Sequence, residues 1–183
     1  MGAVRDGELI EKFLETKDVS HVRVLFERYE SQLLGYLIRL LQNRHDAEDA
    51  LQEAFCKALR ALPKYQESNQ FKSWIYRIAH NEAMNILRTR GKVELQADPI
   101  ESELSEHADD AAVELIQRED LEQLEKAIAE LPDAERRVVV MRMKSGLAFK
   151  EIAVIEGCSI NTVLGRMHNA KGRLSARLRE VTS

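Results

Sequence analysis

Between two long helical patterns the chain carries GKVELQADPIESELSEHADDAA at positions 91–112, a strip rich in carboxylates with few large apolar residues and no sustained helical stripe. A segment without an apolar face belongs to no core, so it separates two pieces, residues 1–92 and 115–183, with 93–114 as an acidic linker. Each piece is under about 100 residues, so each core is small and leaves room for a partner to supply part of its stability. Eight glycines and three prolines are few for 183 residues, and Leu, Ala, Glu and Arg dominate. That balance predicts an all-α protein, two small helical domains rather than a turn-dense β fold.

The periodicity fills in the helices. A short one is expected over 6–15, and a longer one over 19–41 places Leu25, Phe26, Tyr29, Leu33, Tyr36, Leu37 and Leu40 at spacings of 3 and 4. Asp46 reads as the N-cap of the next helix, with Glu48 and Asp49 in the first turn. Its apolar face is Leu51, Ala54, Phe55, Ala58, Leu59 and Leu62, and Pro63 ends it. After a loop at 64–70, a helix from 71 to about 90 buries Trp74, Ile75, Ile78, Ala83 or Met84, and Leu87, completing a bundle of about four helices.

In the second piece, a helix over 113–131 is striped by Leu115, Leu121, Leu124, Ile128 and Leu131. Asp133 is placed as the N-cap of a helix carrying Val138, Val139, Met141 and Arg142, which Gly146 closes. A short helix follows at 149–156, then a turn at Gly157. Ser159 caps a last helix with Ile160, Val163, Met167, Ala170, Leu174 and Leu178 inward. Two helices joined by a short glycine turn, the second with a polar outer face, form the helix-turn-helix pattern, which also serves as an ordinary packing hairpin. Charge favours the DNA-binding reading: from 159 to 179 there are five basic residues and no acidic ones.

Charge is uneven over the whole chain. Residues 1–56 carry a net -4, 57–92 carry +6, 93–120 carry -9 and 121–183 carry +3, within a total of -4. Basic blocks inside an acidic chain are what selective phosphate contact requires, although solvated helix faces can have the same composition.

Several functions are disfavoured. No apolar run approaches the roughly 18 residues of a membrane span, and the first residues lack a signal-peptide core, so a cytoplasmic protein is expected. Cys56 and Cys158 have no CxxC or Cys/His neighbours and read as buried thiols, neither disulfide nor zinc ligands. His21, His45, His80, His107 and His168 are scattered, His80 reading as a phosphate contact or a capped surface residue, and Asp109 with Asp110 makes a poor calcium site. With no HExxH, GxSxG, P-loop or GxGxxG, the expectation is no catalysis, no metal and no cofactor.

Three ordered segments carry a family resemblance: DAEDALQEAFCKALRALPKY, then FKSWIYRIAHNEAMNILR, then ELPDAERRVV followed by LAFKEIAVIEGCSINTVLGRMHNAKGRL. Over about 8–92 and 115–180 the chain resembles a bacterial extracytoplasmic-function (ECF) sigma factor, the class of the sigma-70 family that keeps only region 2 and region 4. The resemblance implies that region 2 binds the β′ clamp helices of core RNA polymerase through Asp49, Gln52 and Glu53. Helical spacing puts these three on one surface, opposite Leu51, Phe55 and Leu59.

It further implies that the promoter's minus-ten element is read as melted single strand, with a flipped base entering a pocket of Ala61, Tyr65, Ile78 and Asn81. An unpaired base offers a π-face to Tyr65 and hydrogen-bonding edges to Asn81. Phe55, Phe71 and Trp74 are assigned to the core, and Tyr65, in a loop, to the surface. Arg77 and Arg88, with Lys57, Arg60, Lys72 and Arg90, are candidates for phosphates.

In region 4 the resemblance implies a helix in the major groove of the minus-thirty-five element, seated also on the polymerase β flap. Asn161, Thr162, Arg166, His168, Asn169, Lys171 and Arg173 are its candidates. Here the chain departs from the family pattern: Leu164 and Gly165 stand where a basic residue and a serine follow the Thr-Val step, and Asn169 replaces a commonly basic residue. Leu164 and Met167 could instead serve a protein surface. The acidic linker corresponds to the connector toward the polymerase cleft, and an anti-sigma factor is the implied regulator. No small-molecule substrate is expected. The competing reading is a helix-turn-helix regulator or sigma-like decoy that never loads onto polymerase.

Overall fold

The computed structural model describes residues 4–66, 70–94 and 114–182, and among them every regular element is a helix. The chain forms two compact units, Met1–Ile100 and Glu101–Ser183. The strip at 95–113, with His107, Asp109 and Asp110, lies outside the described residues, as do the side chains of 114–120, Leu115 among them.

The first unit contains α1 (Asp6–Thr16), α2 (Val19–Leu41), α3 (Arg44–Ala61) and α4 (Phe71–Glu94). Leu9, Ile10 and Phe13 bury the inner side of α1, and its first residue, Asp6, accepts hydrogen bonds from Arg28 and from the Tyr29 hydroxyl of α2. Burial and that bond push the Tyr29 phenol well above its ordinary range. Asp18 caps α2, accepting the Ser20 N–H at 2.9 Å, a bond that holds its carboxyl below the usual value.

The cap of α3 is Asn43, not Asp46: its Oδ1 accepts the Asp46 N–H at 3.0 Å. Asp46 sits within the first turn, where its carboxylate takes the Arg90 guanidinium of α4. Arg90 also donates to the Leu41 carbonyl at 2.9 Å, so one side chain ties the end of α2 and the start of α3 to α4. A carboxylate in the first turn still complements the helix dipole, which is why the two assignments look alike in sequence.

Contact between α2, α3 and α4 is close because the inner edge of α3 is made of Ala47, Ala50, Ala54 and Ala58, all essentially inaccessible to solvent. Large side chains of α2 and α4 fill the space: Leu33, Tyr36, Leu37, Ile75 and Tyr76 are fully buried. The Tyr36 hydroxyl lies 2.8 Å from Nδ1 of His80, so His80 is a hydrogen-bonded core residue and not a surface one. The alanine edge also explains what the apolar pattern overcounted. Leu59 lies exposed beyond it, Phe55 is half-buried and stacks on Phe26, and Cys56 faces solvent. On α4, Trp74, Ile78 and Leu87 are only half-buried. This helix continues through Gly91 to Glu94, four residues beyond the expected stop.

The second unit contains α5 (Glu114–Ala129), α6 (Asp133–Val140), α7 (Phe149–Glu156) and α8 (Ile160–Thr182). Asp133 is the first residue of α6 and Pro132 holds the cap position without a side-chain bond. The corner is closed instead by Arg136, which donates to the carbonyl of Ala129 at 3.0 Å and to Asp133 Oδ1 at 2.6 Å. Beyond Val140 the helix widens into a π turn over Met141–Ser145, ended by Gly146 at φ 66°. Gly157, at φ 63°, makes the turn between α7 and α8. Ser159 caps α8 as expected, accepting the Thr162 N–H at 3.1 Å. Val163 and Ala170 are buried, Cys158, Met167, Leu174 and Leu178 half-buried. Leu121 and Ile160 depart from the predicted stripes, at 60% and 44% exposure, Ile160 being the first residue of α8, a turn before the buried Val163.

Truncating Leu37 to alanine removes a fully buried side chain from the seam of the first unit and is expected to lower its stability by about 3 kcal/mol. Urea unfolding followed by the fluorescence of Trp74, the chain's one tryptophan, checks this through an earlier midpoint.

Candidate nucleic-acid interface

With its alanine edge turned inward, α3 presents Asp49, Gln52 and Glu53 to solvent on the other side. Their neighbours on the surface are within the same helix. His45 lies 3.9 Å from Asp49, and Lys57 lies 3.7 Å from Glu53. The nearer partner of Lys57 is Glu82 on α4, at 2.6 Å, and this bond raises the lysine above its ordinary pKa. Lys57 therefore joins α3 to α4, as Arg90 joins α4 to the end of α2 and the start of α3. Arg60, Arg77 and Arg88 are exposed, Lys72 half-buried.

One face of α4 gathers much of what the minus-ten candidates need. Arg77, Asn81 and Arg88 recur at spacings of 4 and 7 residues, all exposed, so they share one side of the helix. Arg88 is steadied by Asn85 at 3.0 Å. Ile78 is half-buried beside this stripe, and Ala61 is half-buried at the end of α3. Tyr65 does not stand out in solvent. Its ring packs edge-on against Phe71 at 5.8 Å and tilted against Trp74 at 4.8 Å. Trp74 is the aromatic that pattern reading missed: half-buried, it lies 3 residues before Arg77 and 7 before Asn81, on the polar side of α4. That register was the available signal.

In the second unit, two candidate cations of α8 are already engaged. Arg166 donates to Glu156 of α7 at 2.8 Å, and Arg137 of α6 forks onto the same carboxylate at 2.9 and 3.2 Å. The Glu156 side chain is 2% exposed, so this carboxylate between two guanidiniums fixes α6, α7 and α8 to one another. Arg173 pairs with Glu135 at 3.2 Å, and Arg177 with Glu130 at 2.9 Å. Arg166 and Arg173 thus help to orient the helix, and Arg173 keeps 61% of its side chain exposed. Asn161, Thr162, His168, Asn169 and Lys171 are exposed. Thr162 also meets the capping Ser159 hydroxyl at 2.8 Å.

Sequence comparison places the chain in a family. Residues 25–93 match Sigma-70 region 2 and residues 121–174 match Sigma-70 region 4. The ECF RNA polymerase sigma-E factor of Escherichia coli K12 is 30% identical over 174 residues, covering 91% of this chain and 90% of that protein. The chain belongs to the ECF class of the sigma-70 family. The RNA polymerase sigma-H factor of Pseudomonas aeruginosa is 29% identical over 182 residues, covering 95% of this sigma factor and 94% of its relative. Among solved structures, the sigma factor RpoE of Bartonella quintana, in complex with the anti-sigma factor NepR, superposes with a TM-score of 0.73 at 25% identity, over 90% of this chain and 98% of that one. CnrH, in complex with the cytosolic domain of CnrY, shares the fold with a TM-score of 0.69 at 21% identity, over 96% and 97% of the two chains.

The Glu156 clasp gives a test of how region 4 is held. Glu156→Ala leaves two guanidiniums without their shared carboxylate and is expected to destabilise this unit by about 3 kcal/mol, whereas an exposed change such as Lys144→Ala is expected to alter little. Thermal unfolding followed by circular dichroism distinguishes the two.

Proposed function

We propose that this sigma factor joins core RNA polymerase through the outward face of α3 and directs it to promoters that it helps to melt. The observation that carries the reading is the arrangement of α3 and α4: Asp49, Gln52 and Glu53 exposed on one helix, Arg77, Asn81 and Arg88 exposed along the next. The first set offers carboxylate and amide groups to the β′ clamp helices. The second lies on α4 beside half-buried Trp74, on which Tyr65 packs, and Ile78, so a base leaving the duplex finds a π-face, a hydrogen-bonding amide and nearby cations for its phosphate, with Ala61 as the further candidate from the end of α3. In region 4, α8 is the element for the minus-thirty-five groove, with Asn161, Thr162, His168, Asn169 and Lys171 outward, and the same unit is the candidate for the β flap.

The role is that of a dissociable, non-enzymatic subunit, requiring neither cofactor nor small-molecule substrate. Region 2 is taken as 1–92, the acidic linker as 93–114 and region 4 as 115–183. Capture by an anti-sigma factor is supported by the complex of the Bartonella relative with NepR. A cytoplasmic place of work follows from that role, and no described helix is long and apolar enough to cross a membrane.

Three variants separate the two region 2 surfaces. Asp49→Ala and Gln52→Ala are expected to weaken affinity for core polymerase by about tenfold each, the scale of a good interface contact. Asn81→Ala is expected to spare that affinity and reduce open-complex formation. Polymerase binding and permanganate footprinting read the two effects, and wild-type behaviour of all three variants would remove the assignment.

A further inference from the structure

The outward side of α8 is unusual for a helix assigned to DNA. Opposite the buried Val163 and Ala170, its first three turns show Asn161, Gly165 and His168, at spacings of 4 and 3, with Leu164 on the adjoining edge at 42% exposure. Arginine, the side chain that reads guanine through its O6 and N7, has no position on this face: by helical register Arg166, bonded to Glu156, and Arg173, paired with Glu135, stand on the far flank of α8. What remains is an amide, which pairs with the N6 and N7 of adenine, and a branched apolar side chain, which fits the C5 methyl of thymine. Gly165 lies at the centre of the face, and a Cβ placed there would meet nothing within 4 Å. The helix surface is therefore lowest where it would press into the groove, which suits short side chains such as Asn161 and Leu164.

We propose that Asn161 and Leu164 make this sigma factor select A·T pairs in its upstream promoter element, by adenine hydrogen bonding and thymine methyl contact, in place of guanine reading by arginine. This rests on the reading of α8 as the minus-thirty-five helix. Lys171, exposed two turns further on, supplies phosphate contact without sequence preference.

The test is selection by reconstituted holoenzyme from a promoter library with a fixed, functional downstream element and a randomised upstream hexamer. Wild type is expected to enrich adenine and thymine at adjoining positions, by about tenfold over guanine and cytosine. Asn161→Ala is expected to lose the adenine preference, and Leu164→Arg to replace a thymine with guanine, each with core affinity unchanged; Leu164 is exposed, so the arginine needs no repacking. Enrichment of guanine or cytosine by wild type, or an unchanged motif with Leu164→Arg, overturns the inference. So does a loss of core affinity in Leu164→Arg with the motif retained, which assigns the face to protein contact. Transcription from the downstream element with no upstream enrichment overturns this inference and leaves the proposed function standing, whereas failure of wild type to bind core overturns both.

Discussion

Four alanines on one edge of α3 set the geometry of region 2. Ala47, Ala50, Ala54 and Ala58 carry no side chain beyond Cβ, so α2 and α4 approach α3 closely and their own Leu, Ile and Tyr side chains fill the remaining space. Cavities in such a seam are costly, and larger residues at these positions would force the helices apart. The same edge decides which way α3 faces. With 3.6 residues per turn, alanines inward put Asp49, Gln52 and Glu53 outward, so the surface proposed for polymerase is a by-product of core packing. On α4, the buried Ile75, Ala79 and Ala83 likewise leave Arg77, Asn81 and Arg88 to the solvent.

Arginine acts in this protein largely as a fastener. Arg90 joins three helices of region 2, Arg136 closes the corner between α5 and α6, and Arg137 and Arg166 share Glu156. A planar guanidinium suits these sites because it spreads several donors over carbonyls and carboxylates at once. Desolvating charges offsets much of their attraction, so the contribution lies as much in fixing helix orientation as in stability. One consequence concerns DNA: part of the positive charge in the basic blocks is neutralised inside the units, and the exposed cations that remain are fewer than a count of Lys and Arg suggests. The DNA contact proposed for α8 accordingly leans on short polar and apolar side chains, which need a well-held helix more than a strong field.

Much of this was legible in the sequence. The helical periods placed α2 and α7 at their observed ends, Gly146 and Gly157 marked the turns, and Ser159 was recognisable as a cap because a hydroxyl before a helix has one main use there. The face carrying Asp49, Gln52 and Glu53 followed from spacing alone, although only the family resemblance gave it a task. What periodicity could not supply was partnership across helices. Lys57 and Arg166 look like surface cations until Glu82 and Glu156 are placed beside them by the fold. Asp46 was mistaken for a cap because Asn43, three residues earlier, does the same chemistry. Tyr65 looked free in a loop and Trp74 looked buried in a stripe, yet the two rings pack on each other and share an intermediate exposure.

Run-off transcription on a pool of promoter fragments, with core polymerase from the native host and sequencing of the transcript starts, tests the central claim most directly. The structure predicts discrete new starts on addition of this protein, sharing an upstream motif at fixed distance. Unchanged starts, with no binding of the protein to core, would contradict the assignment of α3 and α4 and leave α8 as part of a regulator that acts without loading onto polymerase.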